Sequence, residues 1–397
     1  MSKWQKVRIG DVAIGIYDGP HATPPPCEIP GRYFLGIPQI TPTGHIDLAN
    51  PRYIAASDYS RWTKRVTPRH GDVVFSYEAT LNLYAQIPEG MKCCLGRRMG
   101  LVRPDPKKLD YRFLYYYFFS PEWRSVVKSR TLTGATVDRL PIKTFPDFPI
   151  TLPPLPTQKR IADILSAYDD LIENNRRRME ILEESARLIF KERFEDVWER
   201  GKLPRGWRTC CVPDCIEVEP EVANPHCDEI RYIPMAALST SGMTIDVAKT
   251  EMRPKATSVR FTNGDVLLAG ITPCLENGKT GFVNFLEENE VACGSTEFIV
   301  LRGRTVSPYF TYCLSRTERF RETAIKSMVG ASGRQRVQPE CFDTYEIALP
   351  TTTILREFDE LVEPMFEQIG LLLKQNQDLA EARDMLLPKL MRGAEIG

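Results

Sequence analysis

No uninterrupted apolar run in the 397 residues approaches the roughly 20 that a membrane span needs. The nearest candidate, Phe113 to Phe119, is short and lies between Arg112 and Glu122. The N-terminal charge (Met1, Ser2, Lys3, Trp4, Gln5, Lys6) has no apolar stretch behind it, so no signal peptide is expected and the chain reads as cytoplasmic. Histidine is scarce. The four present, His21, His45, His70 and His226, are too widely spaced for an HExxH motif or a His-rich metal array. No GxxxxGKS/T loop occurs, which argues against ATP-driven work, and no GxGxxG opens a helix after a strand. A GxSxG elbow is missing too. Pro213 and Asp214, followed by Glu217 and Glu219, lack the lysine of a nuclease carboxylate pattern and read as surface loop. The sequence therefore reads as a non-catalytic binding scaffold.

Eleven cysteines, an odd number without an export signal, do not suggest a disulfide framework. The cluster Cys210, Cys211, Cys215, His226 and Cys227 lacks the paired short loops that place four ligands around zinc, so no metal is expected. Net charge is also absent, with 52 basic against 52 acidic residues. That zero hides a gradient. Residues 1–150 carry 21 basic and 13 acidic residues, 151–200 carry 9 and 11, 201–350 carry 17 and 19, and 351–397 carry 5 and 9. Only the first segment has the excess suited to a phosphate-facing surface.

What is present is enough hydrophobic sequence (42%) and aromatic residues (10%) to exclude a disordered chain, and enough length for two or three domains. An internal repeat organises it. Trp4 and Trp207 open the two halves; Ile37-Pro38 recurs as Ile233-Pro234, and Gly44, Ile46, Asp47 as Gly242, Ile245, Asp246. Gly71-Asp72-Val73 recurs as Gly264-Asp265-Val266, Gly134-Ala135 as Gly330-Ala331, and Leu152-Pro153 as Leu349-Pro350. The common order makes the chain a tandem duplication of about 200 residues. Each half begins with a segment rich in β-branched and aromatic residues. Strands are expected at Ile150–Leu152, Val73–Tyr77, Gly281–Phe285 and Phe298–Leu301, and helices at Tyr111–Phe119 and Pro308–Ser315.

Each half then switches to a helical period. Ile161, Leu165, Tyr168, Ile172, Asn175, Met179, Leu182, Ala186, Ile189 and Arg193 form one stripe. Phe358, Val362, Met365, Ile369, Leu372, Asn376, Leu379, Arg383, Leu386 and Leu390 form the other. Steps of four and three sustained this long read as a coiled-coil seam. Pro364 is expected to break or kink the second helix, or to start a new one, and Pro388 to end it. Antiparallel pairing with full overlap sets Asn175 opposite Asn376, a buried pair that would fix register. About 33 residues make a rod of roughly 48 Å, enough to hold two domains about one DNA turn apart.

The segments Asp18-Gly-Pro-His-Ala-Thr-Pro24, Gly71-Asp-Val-Val-Phe-Ser76, Cys94-Leu-Gly-Arg-Arg-Met-Gly-Leu-Val-Arg103 and Leu152-Pro-Pro-Leu-Pro-Thr-Gln-Lys-Arg-Ile-Ala162 resemble a type I restriction–modification specificity subunit. So do Gly264 to Lys279, Gly294-Ser-Thr-Glu-Phe298 and Arg383-Asp-Met-Leu-Leu-Pro-Lys-Leu-Met391. The resemblance implies an α/β (α+β) chain. It has two similar target-recognition domains of mixed irregular β-sheet and helices, linked by two long antiparallel coiled-coil helices with pseudo-two-fold symmetry. The expected boundaries are 1–152 and 201–350 for the recognition domains, and 153–200 and 351–397 for the helices. Each domain would read one half of a bipartite double-stranded DNA target. The coiled coil would dock two methyltransferase subunits, which bring S-adenosylmethionine and methylate adenine. Restriction subunits, two where present, would bring ATP and Mg. This chain itself would hold no cofactor.

Base edges are read by Arg, Lys, Asn, Gln, Ser and Thr on loops. In the first half the candidates are Tyr17, His21 and Thr23, then Thr131, Thr133, Thr136 and Arg139, with Lys64, Arg65, Arg97 and Arg98 for phosphate. In the second they are Ser327, Ser332, Arg334, Gln335 and Arg336, beside Gly330 and Gly333, and the turn holding Asn277 and Lys279. His21 could instead only brace its proline-rich loop, and Arg97 and Arg98 could form a solvated strand face. Arg176, Arg177 and Arg178 read as a solvated helix face. Two other readings stay open: a coiled-coil adaptor that binds protein, and a specificity subunit whose partner fuses methylase and nuclease.

Overall fold

A computed structural model describes residues 4–48, 51–134, 137–225, 228–254, 258–331 and 333–393. The chain divides into two compact units, Met1–Ile172 with Asp378–Gly397, and Glu173–Gln377.

The first unit contains β1 (Gln5–Arg8), β2 (Ala13–Asp18), β3 (Arg32–Leu35), β4 (Tyr53–Ile54), β5 (Val73–Ser76), β6 (Tyr84–Gln86), β7 (Cys93–Leu95), β8 (Met99–Pro104) and β9 (Pro149–Leu152). Its short helices are α1 (Tyr59–Trp62), α2 (Tyr111–Phe118) and α3 (Pro121–Arg130). The strands form sheets of order β2-β8-β5-β6, β4-β3-β7 and β1-β9. The Asp110 carboxylate opens α2 by accepting from the Arg112 and Phe113 amides, and Ser120 opens α3 through the Trp123 amide. Phe113, Tyr117, Trp123 and Phe145 are fully buried between these helices and the sheet.

The second unit repeats the plan. It contains β10 (Arg208–Cys211), β11 (Ile216–Val218), β12 (Ile230–Ile233), β13 (Glu251–Arg253), β14 (Arg260–Phe261), β15 (Val266–Ala269), β16 (Thr280–Phe282), β17 (Ala292–Gly294), β18 (Phe298–Gly303) and β19 (Glu346–Leu349). The sheets run β11-β18-β15-β16, β13-β12-β17-β14 and β10-β19. Strand for strand this is the order of the first unit, with β14 added. The sequence repeat is thus a repeat of topology. Ser307 opens the next helix, Pro308–Arg316, as Asp110 opens α2. A further helix, Glu318–Lys326, follows with Thr317 as its cap.

The recurring Gly-Asp-Val is a structural staple in both units. Gly71 and Gly264 adopt φ of +84° and +88°, which a side chain disfavours. The following aspartates, Asp72 and Asp265, are buried. Asp72 accepts from Arg103 Nε at 2.8 Å and Nη2 at 2.7 Å, and from the Arg69 amide at 2.9 Å. Asp265 accepts from Arg302 Nε and Nη2 at 2.7 Å each, and from the Thr262 amide at 2.8 Å. One buried carboxylate in each unit so ties a tight turn to the neighbouring strand.

Two long helices, Leu155–Phe190 and Thr352–Met391, each contribute one end to each unit. The unit boundary falls inside the helices because their ends sit in the unit cores. Ile161, Leu165, Leu387, Leu390 and Met391 join the core of the first unit, and Met179, Phe190, Phe358, Val362 and Phe366 that of the second. In the second unit Asn175 Nδ2 donates to Asn376 Oδ1 at 2.9 Å and to Gln375 Oε1 at 3.0 Å, while Arg193 lies 3.9 Å from Glu357. One index rises as the other falls, so the helices run antiparallel there. In the first unit the pair is Asp169 with Arg383, at 2.5 Å. Replacing Asn175 with Ala is expected to lower the unfolding free energy by about 1 kcal/mol in a denaturant titration, the net value of a part-buried amide pair.

Three expectations about these helices are corrected. Pro388 does not end the second helix, which runs on to Met391 because Leu387, Leu390 and Met391 are held in the first unit's core. Pro364 does not break it. Its ring is exposed, so water can serve the carbonyl it leaves unbonded, while buried Val362 and Phe366 hold the turns around it. The first helix also leaves its strict period. Beyond Met179 the buried positions are Glu183, Ala186, Phe190 and Phe194, and not Leu182, Ile189 and Arg193. A π-turn at Lys191–Glu195 accompanies the shift. No helix among the described residues is long and apolar enough to cross a membrane.

Candidate nucleic-acid interface

In the first unit Arg97, Arg98 and Arg139 come together around Tyr77, just past β5. Its amide donates to the Arg98 carbonyl, its hydroxyl to the Arg97 carbonyl at 2.6 Å, and its carbonyl accepts from the Leu140 amide at 2.7 Å. The Ala79 amide donates to the Asp138 carbonyl, and Leu132 and Arg139 exchange both backbone bonds, at 2.9 and 3.1 Å. Three segments distant in sequence, 77–79, 97–98 and 132–139, are thus stitched together. Burial, with Asp18 and Glu78 nearby, pushes the Tyr77 hydroxyl up to about 12, so it stays a donor throughout the neutral range.

The cations of this patch are unequal. Arg65 Nη1 donates to Asp18 Oδ1 at 2.6 Å, and His21 Nε2 lies 3.1 Å from the other oxygen of the same carboxylate. Arg98 is bonded to Glu78 at 3.2 Å. Lys64, Arg97 and Arg139 are exposed, as are Thr23 and Thr133. Tyr17 is half-buried, with the Arg103 guanidinium over its ring at 5.7 Å. Thr131 is spent locally, its hydroxyl bonded to the Val127 carbonyl.

The second unit builds the same crossing at Gly270, which stands where the first has Tyr77. The Gly270 amide donates to the Glu297 carbonyl at 2.7 Å and its carbonyl accepts from Val337 at 2.9 Å. The Thr272 amide donates to the Gln335 carbonyl, and the Gln335 amide to the Thr272 hydroxyl. Val329 and Arg336 exchange both backbone bonds, at 3.0 and 2.9 Å. Arg334 is exposed. Arg336 is exposed too, but grips Glu297 through Nε at 2.8 Å and Nη2 at 2.7 Å, which holds that carboxyl below the usual range. The neighbouring turn exposes Asn277 yet uses Lys279 internally, with Nζ bonded to the Met235 carbonyl at 2.8 Å. Arg316 and Arg321 clamp this turn through the Gly278, Leu275 and Glu276 carbonyls. The hydroxyl of Ser327 is bonded to the Ala324 carbonyl.

Residues 1–184 match the family model described as the type I restriction modification DNA specificity domain. Two relatives from Methanocaldococcus jannaschii extend the likeness over the chain. The type I restriction enzyme MjaIX specificity subunit is 28% identical, covering 97% of this chain and 91% of its own. The MjaVIII specificity subunit is 20% identical, covering 98% and 92%. The first 184 residues thus resemble the type I restriction modification DNA specificity domain, and the chain over nearly its whole length is similar to type I restriction enzyme specificity subunits. A solved structure shares the fold. The crystal structure of a type I restriction–modification S subunit from M. genitalium superposes with a TM-score of 0.55 at 14% identity, covering 98% of this chain and 96% of the other.

At both crossings the sequence named the cations but not what holds them. Asp18, Glu78 and Glu297 were missed as partners, and so were Tyr77 and the clamp of Arg316 and Arg321. No motif signals a pairing between residues tens of positions apart. Thr136 and Ser332 lie outside the described residues, as do His226 and Cys227. Among the described residues no group of three or more His, Cys, Asp and Glu side chains could hold a metal ion.

Proposed function

We propose that the chain is the DNA-recognising, non-catalytic subunit of a type I restriction–modification complex. Each unit reads one half of a bipartite duplex target through its stitched loop crossing. The recognition domains are residues 1–152 and 201–350, and the helices 153–200 and 351–397 set the spacing. Two methyltransferase subunits dock on the helix pair and methylate adenine with their own S-adenosylmethionine. Restriction subunits, with ATP and Mg, complete the nuclease form. The observation that carries this reading is the crossing built twice, at Leu132–Arg139 and Val329–Arg336, on one scaffold but with different exposed side chains. A duplicated reader with diverged loops suits a split target with two different halves.

The cation inventory assigns the phosphate contacts unevenly. Arg97 and Arg139 are exposed on the first crossing, with Lys64 exposed elsewhere in the same unit, against Arg334 on the second, with Arg336 committed to Glu297. Alanine at both Arg97 and Arg139 is expected to weaken duplex binding by the assembled complex about equally for all sequences. The same pair of changes should flatten the slope of log affinity against log salt by about two. A fluorescence-anisotropy titration at several salt concentrations measures this. An unchanged slope would remove these arginines from the interface.

A further inference from the structure

The pair Arg336–Glu297 is built more like a reading head than a surface ion pair. Both partners are fixed through their backbones. Arg336 exchanges two hydrogen bonds with Val329, while the Glu297 carbonyl accepts from Gly270 and its amide donates to the Ser295 hydroxyl. The carboxylate engages one edge of the guanidinium, Nε and Nη2. Two of five donors are used, and the outer edge, with both terminal nitrogens, keeps its hydrogens. The Arg336 side chain is 61% exposed and that of Glu297 only 22%, so the buttress lies behind and the free edge faces outward. An exposed ion pair contributes little to stability. A guanidinium locked in one orientation, with two parallel donors open, matches the paired O6 and N7 acceptors of guanine in the major groove.

We infer that Arg336, positioned by Glu297, reads a guanine in the half-site of the second unit. This rests on the proposal that the units read DNA and names a base for one of them. At the corresponding place in the first unit the described residues form no such fork. Arg139 occupies the place of Arg336, but the position before β8 that matches Glu297 is Arg98, which pairs with Glu78. The two half-sites therefore differ at this position.

The test is selection from a randomised duplex pool by the full chain assembled with its methyltransferase subunits, followed by sequencing. The unaltered chain should enrich a guanine at one fixed position of one half-site. Arg336→Lys, which cannot make the two parallel bonds, should lower the preference for that guanine on the order of tenfold and leave the other half-site untouched. Glu297→Gln should lower the same preference, because the amide keeps one acceptor and loses the charge that orients the fork. Matching melting curves establish that both variants fold. Preferences unaltered in both variants overturn the inference, as does a change confined to the other half-site. Enrichment of no sequence by the unaltered chain defeats the DNA-reading proposal itself, before any variant is compared.

Discussion

Replacing Asp72 with Ala is expected to lower the unfolding free energy by about 3 kcal/mol, read as a shift in a denaturant titration. The carboxylate is almost fully buried and receives two bonds from Arg103 and one from the Arg69 amide. Its removal leaves a partly buried guanidinium without its counter-charge and a turn without its closing acceptor. The Asp72 hydrogen bonds raise the Arg103 pKa, so Arg103 remains a cation and cannot escape by losing its proton. Asp72→Asn keeps one acceptor oxygen and should cost about half as much. Asp265→Ala should act in the same way on the second unit, since Arg302 makes the same two-bond contact. A loss under 1 kcal/mol in both variants would mean that the staple is ornamental.

Glu183→Ala should destabilise by a similar amount, about 3 kcal/mol. Glu183 projects from the first long helix into the core of the second unit and is buried. The Tyr312 hydroxyl donates to its Oε1 at 2.6 Å and the Met243 amide to its Oε2 at 2.8 Å. Alanine leaves both donors buried without an acceptor. Burial and the nearby carboxylate push the Tyr312 hydroxyl well above its ordinary value, so it persists as a donor. The site also explains the recurrent Gly242: a Cβ there would stand 2.9 Å from Glu183 Oε2. Glu183→Gln should be milder, since its amide oxygen can serve one donor while its NH2 faces the other. Double replacement with Tyr312→Phe should cost less than the sum of the two single changes, the signature of a shared bond.

How far the sequence carried the reading differs from element to element. The duplication was legible because turns need particular residues: Gly71 and Gly264 at positive φ, with the aspartates that follow them, recur in order whatever the loops between them do. The helix pairing was legible where the apolar period holds, at Asn175 opposite Asn376. It held only in part past Met179: Ala186 stays buried, but Glu183 and Phe190 replace Leu182 and Ile189 on the buried face, because Glu183 serves buried donors and Phe190 packs on Phe194. The two prolines misled for a related reason. Their local cost is real, but burial of Val362, Phe366, Leu387 and Leu390 outweighs it, and periodicity alone cannot weigh those terms. At the loop crossings the types of residue were legible and their partners were not. Arg336 was named for its chemistry, whereas its tie to Glu297 depends on a fold that brings together residues 39 apart.

The charge asymmetry takes a physical form at the same place. Residues 1–150, with 21 basic against 13 acidic, leave Arg97 and Arg139 exposed on the first crossing, while residues 201–350, with 17 against 19, offer Arg334 and a fixed Arg336–Glu297 fork on the second. On the proposed reading the first crossing supplies more of the salt-sensitive attraction and the second relies more on directional contacts.

Mapping of modified adenines in DNA exposed to the complex that contains this chain tests the central claim most directly. Two readers on one chain predict a split target, with two short specified blocks separated by a fixed number of unspecified base pairs and a modified adenine in each block. The block read by the second unit should contain the guanine assigned to Arg336. A single continuous target, or two blocks whose separation varies from site to site, would contradict the account.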